Sequence, residues 1–436
     1  MKKKHRFLPL LAGILFFLSS VVPIFSVQAD ELSGDFKVEA KAALSIDADT
    51  GKVLYDQNSD DALGIASITK IISLYLVEKE VAEGNLAWDD EIEISDFVAQ
   101  LSVHPELSNV PLETTSKYTV KDLFDSAFIQ SSNASTMALA EKIAGSEAAF
   151  VDLMKKQLED WGIKDAKIVN STGLNNVYLG EHIYPGSKTD DENILSAKGV
   201  AIVARHLIND YPDVLEVTAT PKQEFGSHTF SPIEMVNWNW MLPGMLYEKA
   251  GVDGLKTGTT DLAGACFVGT MTKDGQRIIT VVLNATNHET DPGARFVETG
   301  RLMDYSFDNW KKEEVLAKDA TVPELKTVPV HQGKELTVPV QTEEALTVWL
   351  HSSMTKDDVT FKTSLNSKRI TDDNELQAPI EKGANVGTVQ AVSPDKLGFI
   401  EENDADTTKT ALLASQEVKK ANIFVQAWRA VKGLFN

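Results

Sequence analysis

The sequence predicts an α+β protein in which an antiparallel sheet flanked by helices is followed by a small all-β domain and a C-terminal amphipathic helix. Strand-like runs occur near both ends of the stretch from Phe36 to about Trp310, and helical periodicity fills its middle. From about Val315 the pattern changes to short runs that alternate in period two between glycines. These patterns indicate one sheet built from the two ends of the first domain, with helices packed against it.

The composition excludes several classes of protein. The chain has 436 residues, so two or three domains are expected at roughly 100–200 residues each. It carries 64 Asp and Glu against 42 Lys and Arg, a formal net charge of −22 that would repel a nucleic-acid backbone. A single cysteine excludes an internal disulfide, and a hydrophobic content of 43% is too high for a disordered chain.

Residues 1–29 are predicted to be a signal peptide. Basic residues precede the apolar run Leu8–Leu18, and the small residues Val27 and Ala29 stand where a signal peptidase would cleave. The alternative is an N-terminal membrane anchor, but the apolar run is short for a spanning helix. The protein is therefore expected to be exported.

The first domain, residues 30–314, carries the mixed pattern. A hairpin is expected around Asp49–Gly51, and Ser196 is expected to cap a helix that runs to Ile208. The other expected strands are Ala42–Asp47, Val53–Asp56, Ala263–Met271 and Ile278–Ala285. The other expected helices are Ser67–Val81, Val120–Ile129, Ala134–Ile143, Glu147–Trp161 and Ala294–Trp310.

Three segments follow the first domain. Residues 315–400 are predicted to form a small β-sandwich-like domain, and the acidic, polar stretch 401–411 is predicted to be a flexible linker. In residues 412–436 the apolar side chains fall on one helical face and most basic ones on the other. We expect this helix to attach to an anionic membrane surface. The alternatives are docking on its own domain or binding a partner. The expected strands of the β domain include Glu335–Val340, Leu346–His351 and Val359–Thr363.

Ser67 and Lys70 form an S-x-x-K pattern at a predicted helix start. At this spacing the hydroxyl and the amine share a helix face and can form a hydrogen bond. A serine becomes a nucleophile when a base removes its proton, and a lysine can be that base if burial or a neighbouring cation depresses its pKa. The pattern alone is weak, because Ser353–Lys356 and Ser393–Lys396 also fit it.

Two further motifs lie downstream. Ser131–Asn133 is an S-x-N that offers a second hydroxyl for proton transfer and an amide for substrate, and it also suits a cap for the helix beginning at Ala134. Lys256–Gly258 is a K-T-G just before a strand, where a cation can bind a carboxylate or lower the pKa of a nearby lysine. The alternative for an isolated K-T-G is an exposed turn lysine.

The order of the three motifs decides which copy matters. Only Ser67 is followed by an S-x-N and then by K-T-G, since the decoys at Ser353 and Ser393 lie after the single K-T-G. A second S-x-N, Ser364–Asn366, also lies after it. S-x-x-K, S-x-N and K-T-G in this order are the signature of penicillin-recognising acyl-serine enzymes.

On these motifs the chain resembles the low-molecular-weight penicillin-binding proteins that are serine-type D-alanyl-D-alanine carboxypeptidases, over nearly the whole mature protein. The resemblance implies a β-lactamase/transpeptidase-like catalytic domain. Two positions depart from the family pattern: Gly64–Ile65 lacks the usual proline, and Ser132 replaces the usual glycine of S-x-N. Neither removes a reacting group. The resemblance rests on the segments Asp49–Leu54, Ala66–Lys70, Thr119–Leu123, Asn170–Leu174 and Val252–Thr259.

The resemblance also implies the chemistry. Ser67 is acylated by the penultimate D-alanine carbonyl of a peptidoglycan stem pentapeptide, and the terminal D-alanine is released. Lys70 is the base in acylation, and Ser131 relays a proton to the leaving amine. The residues implied in substrate binding are Asn133, Lys256, Thr257, Gly258, Thr259 and Arg295.

Within that set, Asn133 orients the substrate amide, and Lys256 with Thr257 holds the terminal carboxylate. The backbone N–H groups of Ser67 and Thr259 form the oxyanion hole. Arg295 assists carboxylate binding, with an ordinary surface arginine as the alternative. β-Lactams are expected as covalent inhibitors. The protein itself is expected at the outer face of the bacterial cytoplasmic membrane, held there by its C-terminal helix. We expect no metal or organic cofactor, because the eight histidines show no ligand spacing.

Several alternatives remain open at this point. A class A β-lactamase would need a glutamate in an E-x-x-L-N loop, and Glu192–Ser196 lacks the asparagine. An endopeptidase or transpeptidase acting on cross-links, or a β-lactam-binding envelope protein that never turns over, would keep the three motifs. Cys266 is expected to be buried rather than reactive. Trp238 and Trp240 would either stack on substrate or pack beside the catalytic wall.

Overall fold

The computed structural model describes residues 30–227, 229 and 232–433. The predicted signal peptide lies outside the described residues. The helices of the first domain are α1 Asp30–Ser33, α2 Lys70–Ala82, α3 Asp96–Ser102, α4 Val120–Ile129, α5 Asn133–Ala144, α6 Glu147–Asp160, α7 Ala197–Asp210, α8 Val214–Thr218 and α9 Ala294–Asn309. Its strands are β1 Ala40–Asp47, β2 Val53–Gln57, β3 Ala62–Gly64, β4 Glu91–Ile92, β5 Tyr118–Thr119, β6 Ile194–Ser196, β7 Lys222–Phe225, β8 Ile233–Val236, β9 Val252–Thr260, β10 Gly264–Lys273 and β11 Gln276–Ala285.

The two ends of this domain build its central sheet. The strand order is β2-β1-β11-β10-β9, and all neighbours are antiparallel. Alternate side chains of each strand enter different cores. Leu283 packs with the cluster that holds α2, α4, α5 and α7, whereas Val282 packs with Leu302 and Met303 of α9. The predicted α+β class, a sheet covered by helices, is confirmed.

Local sequence explains where the helices nearest the site begin. The Ser196 hydroxyl accepts a hydrogen bond from the Gly199 N–H at 3.0 Å, so the predicted cap of α7 is confirmed. Thr119 and Asp122 form a capping box at the start of α4. The hydroxyl of Ser132 caps α5, as expected for the S-x-N motif.

The second domain is all-β, as predicted. Strands β12 and β15 pair with each other, and the other strands form a six-stranded sheet of order β16-β18-β19-β14-β13-β17. A separate apolar core, rich in valine and leucine, lies inside this domain. Its strands are β12 Trp310–Leu316, β13 Thr327–His331, β14 Thr337–Thr342, β15 Leu346–His351, β16 Thr360–Leu365, β17 Leu376–Gln377, β18 Asn385–Val392 and β19 Lys409–Ala414.

The prediction of a flexible linker at 401–411 is wrong. Glu402–Thr408 is a 3-10 helix, and the strand that follows it, β19, lies inside the six-stranded sheet. The acidic composition suggested solvent exposure, but two of the acidic side chains form ion pairs with an arginine of the first domain. Arg205 of α7 forms ion pairs with Glu401 at 2.7 Å and Asp404 at 3.0 Å. The β domain therefore extends past residue 400, and strand residues also occupy the start of the predicted helix 412–436.

The C-terminal helix begins later than expected. Helix α10 spans Ile423–Gly433, and its apolar side chains are largely exposed. Arg429 ties it to the β domain by donating hydrogen bonds to the carbonyls of Gly333 and Lys334 at 2.6 and 3.0 Å. Within the described part of the chain, no helix has the length and apolar character needed to cross a bilayer.

Candidate active site

Ser67 and Lys70 lie at the junction between the 3-10 turn Ala66–Thr69 and α2. The Lys70 ammonium is 2.8 Å from the Ser67 hydroxyl, 2.7 Å from Asn133 Oδ1 and 2.9 Å from the Thr172 carbonyl. Ala66, immediately before the serine, has a φ of +46°, a left-handed conformation that is strained for a non-glycine residue. The turn thus places the serine beside a lysine that has three partners.

Burial makes Lys70 a candidate base. Its side chain is 0% exposed. Burial, aided by the positive charge of Lys256, places the pKa of Lys70 well below its usual value. A neutral Lys70 can donate its two protons to Asn133 Oδ1 and the Thr172 carbonyl. Its lone pair then faces the Ser67 hydroxyl, which is the arrangement needed to accept the serine proton.

A second hydroxyl–lysine pair faces the first. The Lys256 ammonium donates hydrogen bonds to the Ser131 hydroxyl at 2.9 Å and to the Thr257 carbonyl at 3.1 Å. Ser131 is also left-handed, with a φ of +58°, in the turn between α4 and α5. Ser131 and Lys256 are buried, so a proton could pass along this pair without meeting bulk water.

The pKa of Lys256 lies close to neutral pH. Burial is the main cause that lowers the pKa of Lys256 to about 7, and the positive charge of Arg295 adds to it. Arg295 lies in α9 and is itself only 9% exposed. It donates hydrogen bonds to the carbonyls of Gly258 at 2.9 Å and Cys266 at 3.3 Å. It is therefore a buried wall of the site and not an ordinary surface arginine.

Asn133 connects Lys70 to the loop of Ser108. Its Oδ1 accepts from Lys70, and its Nδ2 donates to the Ser108 carbonyl at 2.9 Å. Its backbone N–H also donates to Ser108, at 3.1 Å. The amide is thus held rigidly, and its oxygen is directed at the candidate base.

The K-T-G motif lies inside strand β9, so its expected position just before a strand is corrected. β9 forms one edge of the central sheet and packs against the 3-10 turn that carries Ser67. A Cβ at Gly258 would stand 2.7 Å from the Ile65 carbonyl oxygen, too close for any side chain. The glycine therefore allows the strand to approach the nucleophile, with Thr259 exposed beside it.

Ser67, Ser131 and the K-T-G strand face one cleft of about 340 Å³. Trp238 is 41% exposed on its rim and is held by a hydrogen bond from its indole N–H to the Gln130 carbonyl. Trp240 packs against Phe296 and Tyr247 instead. The cleft is lined by Ser67, Ser108, Ser131, Trp238, Trp240, Thr257, Gly258, Thr259, Pro292, Arg295 and Phe296.

The sequence patterns missed the loop that supports Lys70. Asn170 Oδ1 accepts a hydrogen bond from the Gly173 N–H at 2.7 Å and so fixes the turn that presents the Thr172 carbonyl. A Cβ at Gly173 would stand 1.8 Å from the Ala66 carbonyl oxygen, so only glycine fits there. The asparagine and the glycine were part of the family resemblance, but nothing in their spacing showed a contact with the lysine.

Glu147, at the start of α6, was also missed. It accepts hydrogen bonds from the backbone N–H of Ser171 at 2.6 Å and from its hydroxyl at 2.8 Å. The carbonyl of Ser171 in turn accepts a hydrogen bond from the Ser73 hydroxyl, at 2.6 Å. Glu147 therefore fixes Ser171, the residue next to the Thr172 carbonyl that contacts Lys70.

The decoy motifs do not join the cleft. Ser353 hydrogen-bonds His351 and Ser393 hydrogen-bonds Asp395, all in the β domain. Glu192 accepts a hydrogen bond at 2.5 Å from Thr260, the last residue of β9, and is buried. Cys266 is buried, as expected, and burial raises the pKa of its thiol to about 11. Among residues 30–227, 229 and 232–433, no cluster of His, Cys, Asp or Glu is arranged to hold a metal ion.

Comparison with known proteins matches the chain to two family models. The family model described as D-alanyl-D-alanine carboxypeptidase matches residues 26–287, and that of the penicillin-binding protein 5 C-terminal domain matches residues 310–420. D-alanyl-D-alanine carboxypeptidase DacF of Bacillus subtilis is 28% identical over 412 residues, 94% of each chain.

Two solved structures are similar over most of the chain. The peptidoglycan synthesis regulatory factor (PBP3) of Streptococcus pneumoniae is 40% identical with a TM-score of 0.72, over 88% of this chain and 100% of that one. Penicillin-binding protein 5 of Haemophilus influenzae is 24% identical with a TM-score of 0.65, over 88% and 99%. The second likeness concerns the fold alone.

Substitution of Arg295 tests the electrostatic coupling in the cleft. Arg295→Met removes a like charge near Lys256, so we expect the pKa of Lys256 to rise above its value of about 7. The measurement is the pH titration of the lysine ¹³Cε signal by NMR, assigned by its loss in Lys256→Ala. Arg301→Met, on the same helix but ion-paired to Glu298 and partly exposed, is the control and should leave the titration unchanged. An unchanged Lys256 titration in Arg295→Met would contradict the coupling.

Glu147 should make stability depend on pH. Burial raises the pKa of Glu147 to about 7, above its ordinary 4.5, so the folded protein retains a proton that the unfolded chain releases. The stability that this proton contributes is complete below about pH 4.5 and is lost as pH rises through about 7. Glu147→Gln mimics the neutral form, so relative to this variant the wild type should lose up to about 3 kcal/mol across that interval.

Urea unfolding at several pH values measures this difference. Glu159→Gln is the control, because Glu159 lies on the same helix but is exposed, and its profile should follow the wild type. Parallel profiles for wild type and Glu147→Gln would show that the buried carboxyl does not titrate in this interval.

Proposed function

The chain belongs to the D-alanyl-D-alanine carboxypeptidase family, and from this premise we propose that Ser67 is the nucleophile of its serine-type carboxypeptidase activity in peptidoglycan metabolism. The single observation that carries the assignment is the Lys70 ammonium, fully buried and 2.8 Å from the Ser67 hydroxyl. Burial keeps this lysine available as a neutral base.

Acylation would use the cleft as follows. Ser67 Oγ attacks the carbonyl of the penultimate D-alanine, and its proton passes to Lys70. The backbone N–H groups of Ser67 and Thr259 would stabilise the oxyanion, a contribution whose loss typically costs about 10²–10³ in rate. Ser131 would relay to the leaving D-alanine amine the proton that Lys70 took from Ser67, so that Lys70 is neutral again once the acyl-enzyme has formed. Lys256, 2.9 Å from the Ser131 hydroxyl, would keep its own proton.

Binding and deacylation would use the remaining groups. Thr257 of β9 lines the cleft and Lys256 precedes it on the strand, so the two would hold the terminal carboxylate of the peptide, with the positive charge of Arg295 nearby. Asn133 would orient the substrate amide, and Gly258 lets the peptide approach the strand closely. Lys70 would then activate the water that hydrolyses the acyl-enzyme.

The test is D-alanine release from diacetyl-lysyl-D-alanyl-D-alanine by wild type and by Ser67→Ala. Because the serine is the attacking group, we expect the variant to lose at least about a thousandfold in rate. Ser353→Ala is the matched control, since Ser353 begins the same S-x-x-K pattern in the β domain, and it should retain full rate. Release that persists in Ser67→Ala would exclude Ser67 as the nucleophile.

We further propose that α10 attaches the exported protein to the outer face of the cytoplasmic membrane. Ile423, Phe424 and Trp428 are 75%, 81% and 70% exposed, an apolar surface that a soluble protein rarely leaves uncovered. The exposed Lys419 and Lys420 precede the helix and suit anionic lipid headgroups. The anchoring of Arg429 on Gly333 holds the helix at the end of the β domain with this surface free.

Vesicle sedimentation tests the attachment. The wild type should bind phosphatidylglycerol vesicles more tightly than phosphatidylcholine ones, and Phe424→Ser with Trp428→Ser should weaken binding at least about tenfold because apolar area is lost. Val103→Ser, at an exposed apolar position of the first domain, is the control and should bind like wild type. Equal binding by the double variant would mean that this face does not meet the membrane.

A further inference from the structure

A second cavity, of about 350 Å³, lies where the first domain meets the β domain. It is remote from the catalytic cleft. Lys52, the residue just before β2, lines it, and β2 and β9 are opposite edges of the five-stranded sheet. Four strand spacings separate them, or roughly 19 Å. The volume is within the range of small-molecule sites.

An ion pair between the two domains, Lys52 with Asp395, lines one side of this cavity. The buried Lys52 ammonium pairs with the Asp395 carboxylate and donates a hydrogen bond to the Gly398 carbonyl at 3.1 Å. The Ser393 hydroxyl also donates to Asp395, at 2.5 Å. The aspartate is therefore fully used, so it does not offer a free negative charge to a ligand.

Two other lysines of the cavity have no such partner. Lys312 and Lys362 form no ion pair with any residue that the structure describes. Lys312 of β12 stands directly across from Trp349 of β15, and Lys362 of β16 stands across from Gln390 of β18. In a protein with an excess of 22 negative charges, this concavity carries unpaired positive charge. It would attract an anion.

The rest of the lining suits a ring that carries hydroxyl groups. Trp349 and Phe399 supply aromatic surface, and the hydroxyls of Thr50, Thr347 and Thr408 supply polar groups. Trp349 is 3% exposed, and its indole N–H has no hydrogen-bond acceptor among the described residues. This N–H is itself buried, so it is not one of the groups that a bound molecule would meet.

We propose that this interdomain cavity binds an acidic pyranose, a sugar ring that carries a carboxylate. The ring would lie against Trp349 and Phe399, and the carboxylate would lie between Lys312 and Lys362. The glycan that bears the stem peptides is a source of this chemistry, because muramic acid is a pyranose with a carboxyl substituent. The site would hold a peptide-free muramyl unit while the distant cleft cleaves a stem peptide.

Ligand-observed NMR titration of the purified protein tests the site, with the active-site serine first acylated by benzylpenicillin so that the catalytic cleft is blocked. The probes are N-acetylmuramic acid, glucuronic acid and neutral N-acetylglucosamine. We expect N-acetylmuramic acid to bind at least about fivefold more tightly than N-acetylglucosamine. Lys312→Gln and Lys362→Gln should each weaken its binding about three- to fivefold, the scale of partly exposed ion pairs.

Lys368→Gln is the matched control, because Lys368 is exposed on the loop after β16 and has no ion pair with the described residues. It should leave affinity unchanged. Equal affinity for the acidic and the neutral sugar, no effect of the two cavity variants, or no binding by about 10 mM would each overturn the proposal. Glucuronic acid separates the sources: comparable binding assigns the site to acidic pyranoses in general, and weak binding to the muramyl unit.

Discussion

The structure depends on the burial of two lysine amines at one cleft. Lys70 is 0% and Lys256 2% exposed, and burial disfavours the charged form of each. Such groups are tolerated only where several acceptors surround them. The acceptors of Lys70 come from the 3-10 turn, the start of α5 and the loop of Thr172. Three segments that are distant along the chain therefore meet at this amine, and the same desolvation lowers its pKa.

Sequence patterns located the candidate reacting groups more completely than the residues that support them. The order of S-x-x-K, S-x-N and K-T-G selected Ser67 over two decoys, and local periodicity found α4 from Val120 to Ile129 with its observed ends. The support from Glu147 could not be predicted, because its partner Ser171 is 24 residues away along the chain. Periodicity and capping describe neighbours on one element, whereas this contact requires the fold.

The segment 401–411 shows why composition led to the wrong prediction of a flexible linker. Glu401, Asp404 and their neighbours have the polarity of a solvated linker, and no local pattern distinguishes the two cases. Arg205 reaches them across 196 residues of sequence and also donates from its Nε to the Ala48 carbonyl at 2.9 Å. A polar segment can be ordered if another domain supplies its counter-charges, so the boundary of the β domain followed tertiary contacts and not hydropathy.

The two edges of the central sheet have separate tasks. Strand β9 forms the wall of the catalytic cleft. At the other edge, the turn that leads into β2 meets the β domain through the Lys52–Asp395 ion pair and the hydrogen bond from Ile400 N–H to the Gly51 carbonyl. The β domain then holds α10 through Arg429. The β domain also meets α7 through the ion pairs of Arg205 with Glu401 and Asp404. None of these contacts uses a side chain of the catalytic cleft, so the cleft and the junction between the domains are built from different residues.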